Sequence, residues 1–106
     1  SSGNSFVHET ESQVILNGSY NINFTMDLVL KDTGLFDDLA KKLGTPLEIS
    51  PKVVEIFKDG QKKYGSRAWS SMIVKRMEDL NNIDFRANGF PEELTDNEPE
   101  EKGYEI

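Results

Sequence analysis

The chain has 106 residues, no cysteine and a formal net charge of −7. This length suits one domain, and the lack of cysteine excludes disulfides and thiolate chemistry, which fits a cytoplasmic location. Residues 1–83 carry 11 acidic and 10 basic side chains, whereas residues 84–106 carry 8 and 2, so no basic surface favours nucleic acid and no apolar run of about 18 residues favours a membrane.

Apolar periodicity and terminal residues predict four helices in chain order: 6–16, 23–43, 51–64 and 69–80. Ser5 and Ser50 are the candidate N-caps, and Gly44 ends the second helix. Short connections favour antiparallel neighbours, so we predict an all-α fold, a small bundle of about four helices.

Residues 1–83 form the predicted helical domain, and residues 84–106 form an acidic, mostly extended tail. The tail is either solvated or packed on its own domain or on a neighbouring subunit. Three aromatic residues could anchor it: Phe85, Phe90 and Tyr104. In the fourth helix we expect five residues to point inward: Trp69, Met72, Ile73, Met77 and Leu80.

The second helix carries an apolar stripe with a lysine in it. Phe24, Leu28, Leu35, Leu39 and Leu43 recur at helical spacing. At about 100° per residue from Phe24, the four nearest members fall within about 60° of one another and Lys31 lies near −20°. An amine in this position either extends beyond the core, pairs with an acid or contacts a ligand.

Phe24 precedes Lys31 by seven residues, about 10 Å along a continuous helix. Its ring is either part of the core or, with the Lys31 ammonium, brackets a flat cofactor ring. The first helix is short, so the bundle is expected to leave an apolar seam exposed. Such a seam would be covered by an N-terminal portion of the protein, by a second subunit or by both.

Several segments resemble the C-terminal domain of the β-hydroxyacid dehydrogenases of the 3-hydroxyisobutyrate type. KDTGLFDD, residues 31–38, is similar to the family's cofactor-binding K-D-L-G-x-A-x-D, with Thr33 and Phe36 as departures. NFTMDLVLK, LGTPL and the initial SSGNS resemble the segments that flank this motif, although SSG could also be a tag remnant. Where the family usually has an acid near the end of the domain, this chain has Arg67, Ala68 and Trp69.

The resemblance implies a bundle like the C-terminal domain of 6-phosphogluconate dehydrogenase-like proteins. It also implies Lys31, and more weakly Phe24, as residues that bind NAD or NADP. The expected partners are an N-terminal Rossmann domain of the same protein, a second copy in a homo-oligomer and a small hydroxy-acid substrate. Neither G-x-G-x-x-G nor the family's catalytic lysine segment occurs here, so we assign no catalytic residue and predict that this chain alone has no turnover.

An alternative is a stand-alone helical module that binds a protein partner and lacks catalytic activity. Other chemistries find little support in the sequence. His8 is the only histidine, so His-based metal sites and a catalytic triad lack a second imidazole. The adjacent acids Asp37–Asp38 and Glu78–Asp79 are typical of solvated helix faces. We therefore predict no metal site.

Overall fold

The computed structural model describes residues 2–90 and 103. Within these residues it confirms a small all-α bundle: α1 (Phe6–Asn17), α2 (Met26–Leu43), α3 (Ser50–Tyr64), a 3₁₀ turn (Ser70–Val74) and α4 (Lys75–Asn81). None of the helices in this part of the chain is long and apolar enough to cross a membrane. Most of the predicted tail, with Tyr104, lies outside the described residues, and the division at residue 83 stays a prediction.

The ends of α1 and α2 follow local rules. The Ser5 hydroxyl accepts a hydrogen bond from the His8 amide at 3.0 Å, as expected of an N-cap. Gly18 and Gly44, which follow α1 and α2, adopt the left-handed conformation that most side chains avoid. The predicted bounds of α1 and the C-terminus of α2 are therefore accurate to within one residue.

The predicted N-terminus of α2 was wrong by three residues. Asn23 has a positive φ of 59°, which a right-handed helix does not allow. Thr25 forms an isolated antiparallel bridge with Trp69, and the Met26 amide donates to the Ala68 carbonyl at 2.9 Å. These long-range contacts keep residues 23–25 extended, although their sequence is compatible with a helix.

Two further details of the prediction were wrong. Ser50 is the first residue of α3 and not its cap, because its hydroxyl donates to an Asp37 carboxylate oxygen at 2.5 Å. The predicted fourth helix is split into the 3₁₀ turn and α4. In that turn the Ser71 hydroxyl donates to the Tyr20 carbonyl at 2.6 Å, which ties the turn to the segment between α1 and α2.

The apolar core is small. Only four apolar residues are buried in the described part of the chain: Val14, Tyr20, Met26 and Ala40. Many large apolar side chains are exposed, among them Phe6, Leu35, Leu43 and Ile49. The predicted exposed apolar seam is thus confirmed. What covers it is a separate question that the single chain leaves open.

Candidate functional site

The apolar stripe of α2 faces outward. The buried side of α2 contains Met26 and Ala40, which lie near 200° and 160° on the scale that puts Phe24 at 0°. Leu35, near 20°, is 62% exposed, and Leu43 is 68% exposed. The interpretation of this stripe as a core-facing surface was therefore wrong, because the α3-facing side of α2 is made of smaller residues on the opposite side of the helix.

Lys31 lies in the middle of this outward stripe. Its side chain is 61% exposed, and its amine is 3.5 Å from an Asp32 carboxylate oxygen. Leu28, one turn before Lys31, is half-buried. An exposed ion pair of this kind contributes little to stability, so the amine is available to a ligand. We call Lys31 with its apolar neighbours Leu28, Leu35 and Leu39 the α2 face.

Phe24 lies next to the α2 face but outside the helix. The extended backbone at residues 24 and 25 means that helical spacing no longer sets its distance from Lys31. Its carbonyl accepts from the Ser70 amide at 2.7 Å, and its ring is 37% exposed. The single cation–π contact found in the described residues joins Arg86 to Tyr20, so the pairing of Phe24 with Lys31 around a cofactor stays a prediction.

The loop between α3 and the 3₁₀ turn places an arginine beside the α2 face. The Arg67 guanidinium donates to an Asp27 carboxylate oxygen at 3.1 Å, and Asp27 lies one helical turn before Lys31 on α2. The hydrogen bond from the Thr25 hydroxyl, reinforced by Arg67, holds the pKa of Asp27 below its usual value. Sequence reasoning noted Arg67 only as a departure from the family; its position near Lys31 depends on contacts 40 residues apart in the chain.

A second surface feature lies at the α2–α3 junction. It is an open, mainly apolar depression of about 550 Å³ lined by Phe36, Pro46, Leu47, Glu48, Ile49, Ser50 and Val53. Neither Lys31 nor Phe24 lines this depression. It is therefore distinct from the α2 face and has no charged group other than Glu48 with which to orient a polar ligand.

Glu78 is buried, which contradicts the prediction that Glu78–Asp79 is a solvated pair. It is 1% exposed, and its carboxylate accepts hydrogen bonds from the Tyr20 hydroxyl, the Phe85 amide and the Arg86 guanidinium. Burial by itself would raise the pKa of Glu78, but these three donors outweigh burial and hold it below its usual value. We call these four residues the Glu78 cluster.

The Glu78 cluster also corrects the expected inner face of the fourth helix. Met77 and Leu80 are 48% and 77% exposed, because α4 turns its carboxylate, and not these two apolar side chains, toward Tyr20. Every oxygen of the Glu78 carboxylate is already bonded within the chain. The cluster therefore stabilises the fold and has no group left to bind a ligand.

Metal and histidine chemistry are not supported in the described part of the chain. No group of three or more potential metal-ligating side chains is found among residues 2–90 and 103. His8 is exposed, and its ring nitrogen lies 3.3 Å from the Ser12 hydroxyl. Its interpretation as an ordinary surface residue agrees with this position.

The comparisons with known proteins identify one family. Residues 1–77 match the family described as "NAD-binding of NADP-dependent 3-hydroxyisobutyrate dehydrogenase". The match covers α1, α2, α3, the 3₁₀ turn and the beginning of α4, and so includes Phe24, Lys31 and Arg67. No curated protein and no solved structure matches the chain.

Proposed function

Because the chain belongs to this NAD-binding family of 3-hydroxyisobutyrate dehydrogenases, we propose that it is the helical C-terminal domain of an NAD(P)-dependent 3-hydroxyacid dehydrogenase. The observation that carries the proposal is the α2 face, where an exposed lysine stands among exposed apolar side chains. Solitary exposed leucines are common, but a row of them along one helix marks a surface that contacts something. The parent enzyme would reversibly oxidise a small hydroxy acid, with the hydride passing to NAD or NADP.

The residues of the α2 face suit a nicotinamide cofactor. The Lys31 ammonium can donate three hydrogen bonds to ribose or amide oxygens, and its charge favours an anionic substrate nearby. Leu28 and Leu35, on the turns before and after Lys31, offer apolar surface to a flat ring. Phe24 adds an aromatic edge at the end of this surface. When bound, the cofactor supplies the redox chemistry, and the protein supplies position and charge.

The proposed partners follow from the size of the open surface. An N-terminal Rossmann domain of the same polypeptide would cover the α2 face and hold the rest of the dinucleotide. A second copy of the chain would cover the remaining exposed apolar residues, as in a homo-oligomer. Since the glycine-rich loop and the catalytic lysine segment are not in these 106 residues, we expect no turnover from this chain by itself. The cytoplasmic location stays a prediction.

The proposal is tested by replacing Lys31 in the full-length polypeptide. We expect Lys31→Met to raise the dissociation constant for NADH or NADPH about tenfold, because it removes a charged donor but keeps the length of the side chain. Cofactor fluorescence on titration measures this change. The melting temperature should not move, because the lost ion pair with Asp32 is exposed.

Lys42→Met is the matched control. Lys42 is also exposed on α2 and lies on the same side of the helix as Lys31, but it is 11 residues further along, about 16 Å. A general effect of lost surface charge would appear equally in both variants. Unchanged cofactor affinity and turnover in Lys31→Met would remove Lys31 from the site and leave the chain as a helical domain of this family without an assigned role.

A further inference from the structure

The loop of residues 65–70 is fastened to the start of α2 by its backbone. The Asp27 amide donates to the Ser66 carbonyl at 3.0 Å and the Met26 amide donates to the Ala68 carbonyl at 2.9 Å. The residue between these two carbonyls is Arg67. Because both of its neighbours are bonded to α2, the position at which the Arg67 side chain leaves the backbone is fixed relative to the helix.

These same bonds occupy the first amides of α2. The Leu28 amide is also taken, by the Thr25 carbonyl at 3.1 Å and by the Asp27 carboxylate at 3.0 Å. A ligand near the start of α2 would therefore find no free helix amide. Any attraction for an anion at this place has to come from side chains.

Two cationic side chains are available there. Asp27 and Lys31 are separated by one turn of α2, with roughly 5–6 Å between their β-carbons, and Arg67 contacts Asp27. The Arg67 side chain is 77% exposed. One of the five donor positions of its guanidinium is used by Asp27, so the remaining donors face solvent. Asp27 orients the guanidinium, and Lys31 supplies the second charge.

We propose that Arg67 acts with Lys31 as a two-point binding site for one anionic group, a phosphate or a carboxylate, at the edge of the α2 face. The inference rests on the proposed function, because Lys31 is already placed at the cofactor. It adds a specificity-determining residue that the resemblance does not supply. A guanidinium matches either group with two parallel hydrogen bonds, which an ammonium cannot provide. The anionic group comes from the cofactor or from the hydroxy acid.

The test compares Arg67→Met and Arg67→Lys in the full-length polypeptide. We measure the dissociation constants of NADH and NADPH and the KM for 3-hydroxyisobutyrate. Arg67→Met should weaken one of these ligands about tenfold. Arg67→Lys should recover part of the loss, since it restores the charge without the paired donors. Weakening of NADPH or NADH identifies a cofactor phosphate, and a higher KM with unchanged cofactor affinity identifies the substrate carboxylate.

Lys52→Met is the control, because Lys52 is also an exposed cation in an ion pair, with Glu55 at 3.2 Å, and lies in α3. It should leave all three constants unchanged. If Arg67→Met also leaves them unchanged while Lys31→Met weakens the cofactor, the inference is overturned and the proposed function stands. If neither variant changes any constant, both fail.

Discussion

The molecule contains two ion pairs with opposite surroundings. On the α2 face, Lys31 and Asp32 are 3.5 Å apart and both are more than half exposed. In the Glu78 cluster, Arg86 and Glu78 are 3.1 Å apart, and the Glu78 side chain is fully buried. The comparison shows that burial, and not the presence of a charge pair, separates a residue that stabilises the fold from one that is free to bind.

The two regions also differ in what surrounds the charges. The Glu78 cluster joins α4 to the α1–α2 connection and to the segment after α4, and the Arg86 guanidinium lies 5.3 Å above the Tyr20 ring. The Ala87 amide continues this attachment by donating to the Leu16 carbonyl at 3.0 Å. The α2 face has neighbouring leucines and no such bonds. One region is closed by its own chain, and the other is suited to being closed by another domain.

The largest effect is expected from breaking the closed region. Glu78→Ala should lower the free energy of unfolding by about 3 kcal/mol, because it leaves Arg86 and the buried Tyr20 hydroxyl without their acceptor. Urea denaturation measures the change. The control is Glu55→Ala, which removes an exposed partner of Lys52 and should cost less than about 1 kcal/mol. Equal losses in the two variants would show that the Glu78 cluster is no more important than a surface pair.

A smaller effect, of opposite sign in the two regions, is expected at two helical glycines. A β-carbon on Gly60 would lie 2.7 Å from Ile73 Cδ1, whereas one on Gly34 would have no atom within 4 Å. Gly60→Leu should therefore destabilise the chain by about 1–3 kcal/mol through overpacking. Gly34→Ala should stabilise it by roughly 0.5–1 kcal/mol through helix propensity.

Both changes are measured by thermal or urea unfolding of this chain. Gly34 also belongs to the motif that includes Lys31, so the space beside it is where the proposed partner domain would lie. A Gly34→Ala variant that destabilises this chain would contradict the open packing of α2. One that stabilises the chain but weakens the full-length enzyme would support the closure of this face by another domain.

The sequence predicted the parts of the fold that local rules determine. The Ser5 cap, the helix ends at Gly44 and Gly65 and the existence of α1, α2 and α3 follow from residues only a few positions apart. The resemblance around Lys31 identified the family, which the match over residues 1–77 confirms. Lys31 and Phe24 as cofactor residues stay predictions.

Long-range contacts decided what the sequence could not predict. The hydrogen bond between Tyr20 and Glu78 joins residues 58 positions apart, so no local pattern could show that this carboxylate is buried. Periodicity found the apolar stripe of α2 but not its direction. In a small, open bundle, an apolar helix face can be a core or a contact surface, and only the position of α3 settles which side of α2 is inside.

The smallest expected effect concerns the pH dependence of stability. The folded-state pKa of Glu78 is held below its usual value of 4.5, so its ionised form stabilises the fold above that pH. This contribution should be lost as the pH falls below about 4.5 and through the lower folded-state pKa. Glu11 acts in the opposite sense, because burial raises its pKa, so the raw acid-unfolding curve mixes the two groups.

A comparison of the chain with its Glu78→Gln variant isolates the Glu78 contribution, since Glu11 is present in both. The difference in unfolding free energy should be largest near pH 6 and shrink toward about pH 3. Glu55→Gln, at an exposed position, should show a small difference that changes little with pH. If the Glu78→Gln difference were also constant with pH, the carboxylate would not be held ionised by its three donors. The contrast between a closed and an open ion pair would then lose its electrostatic basis.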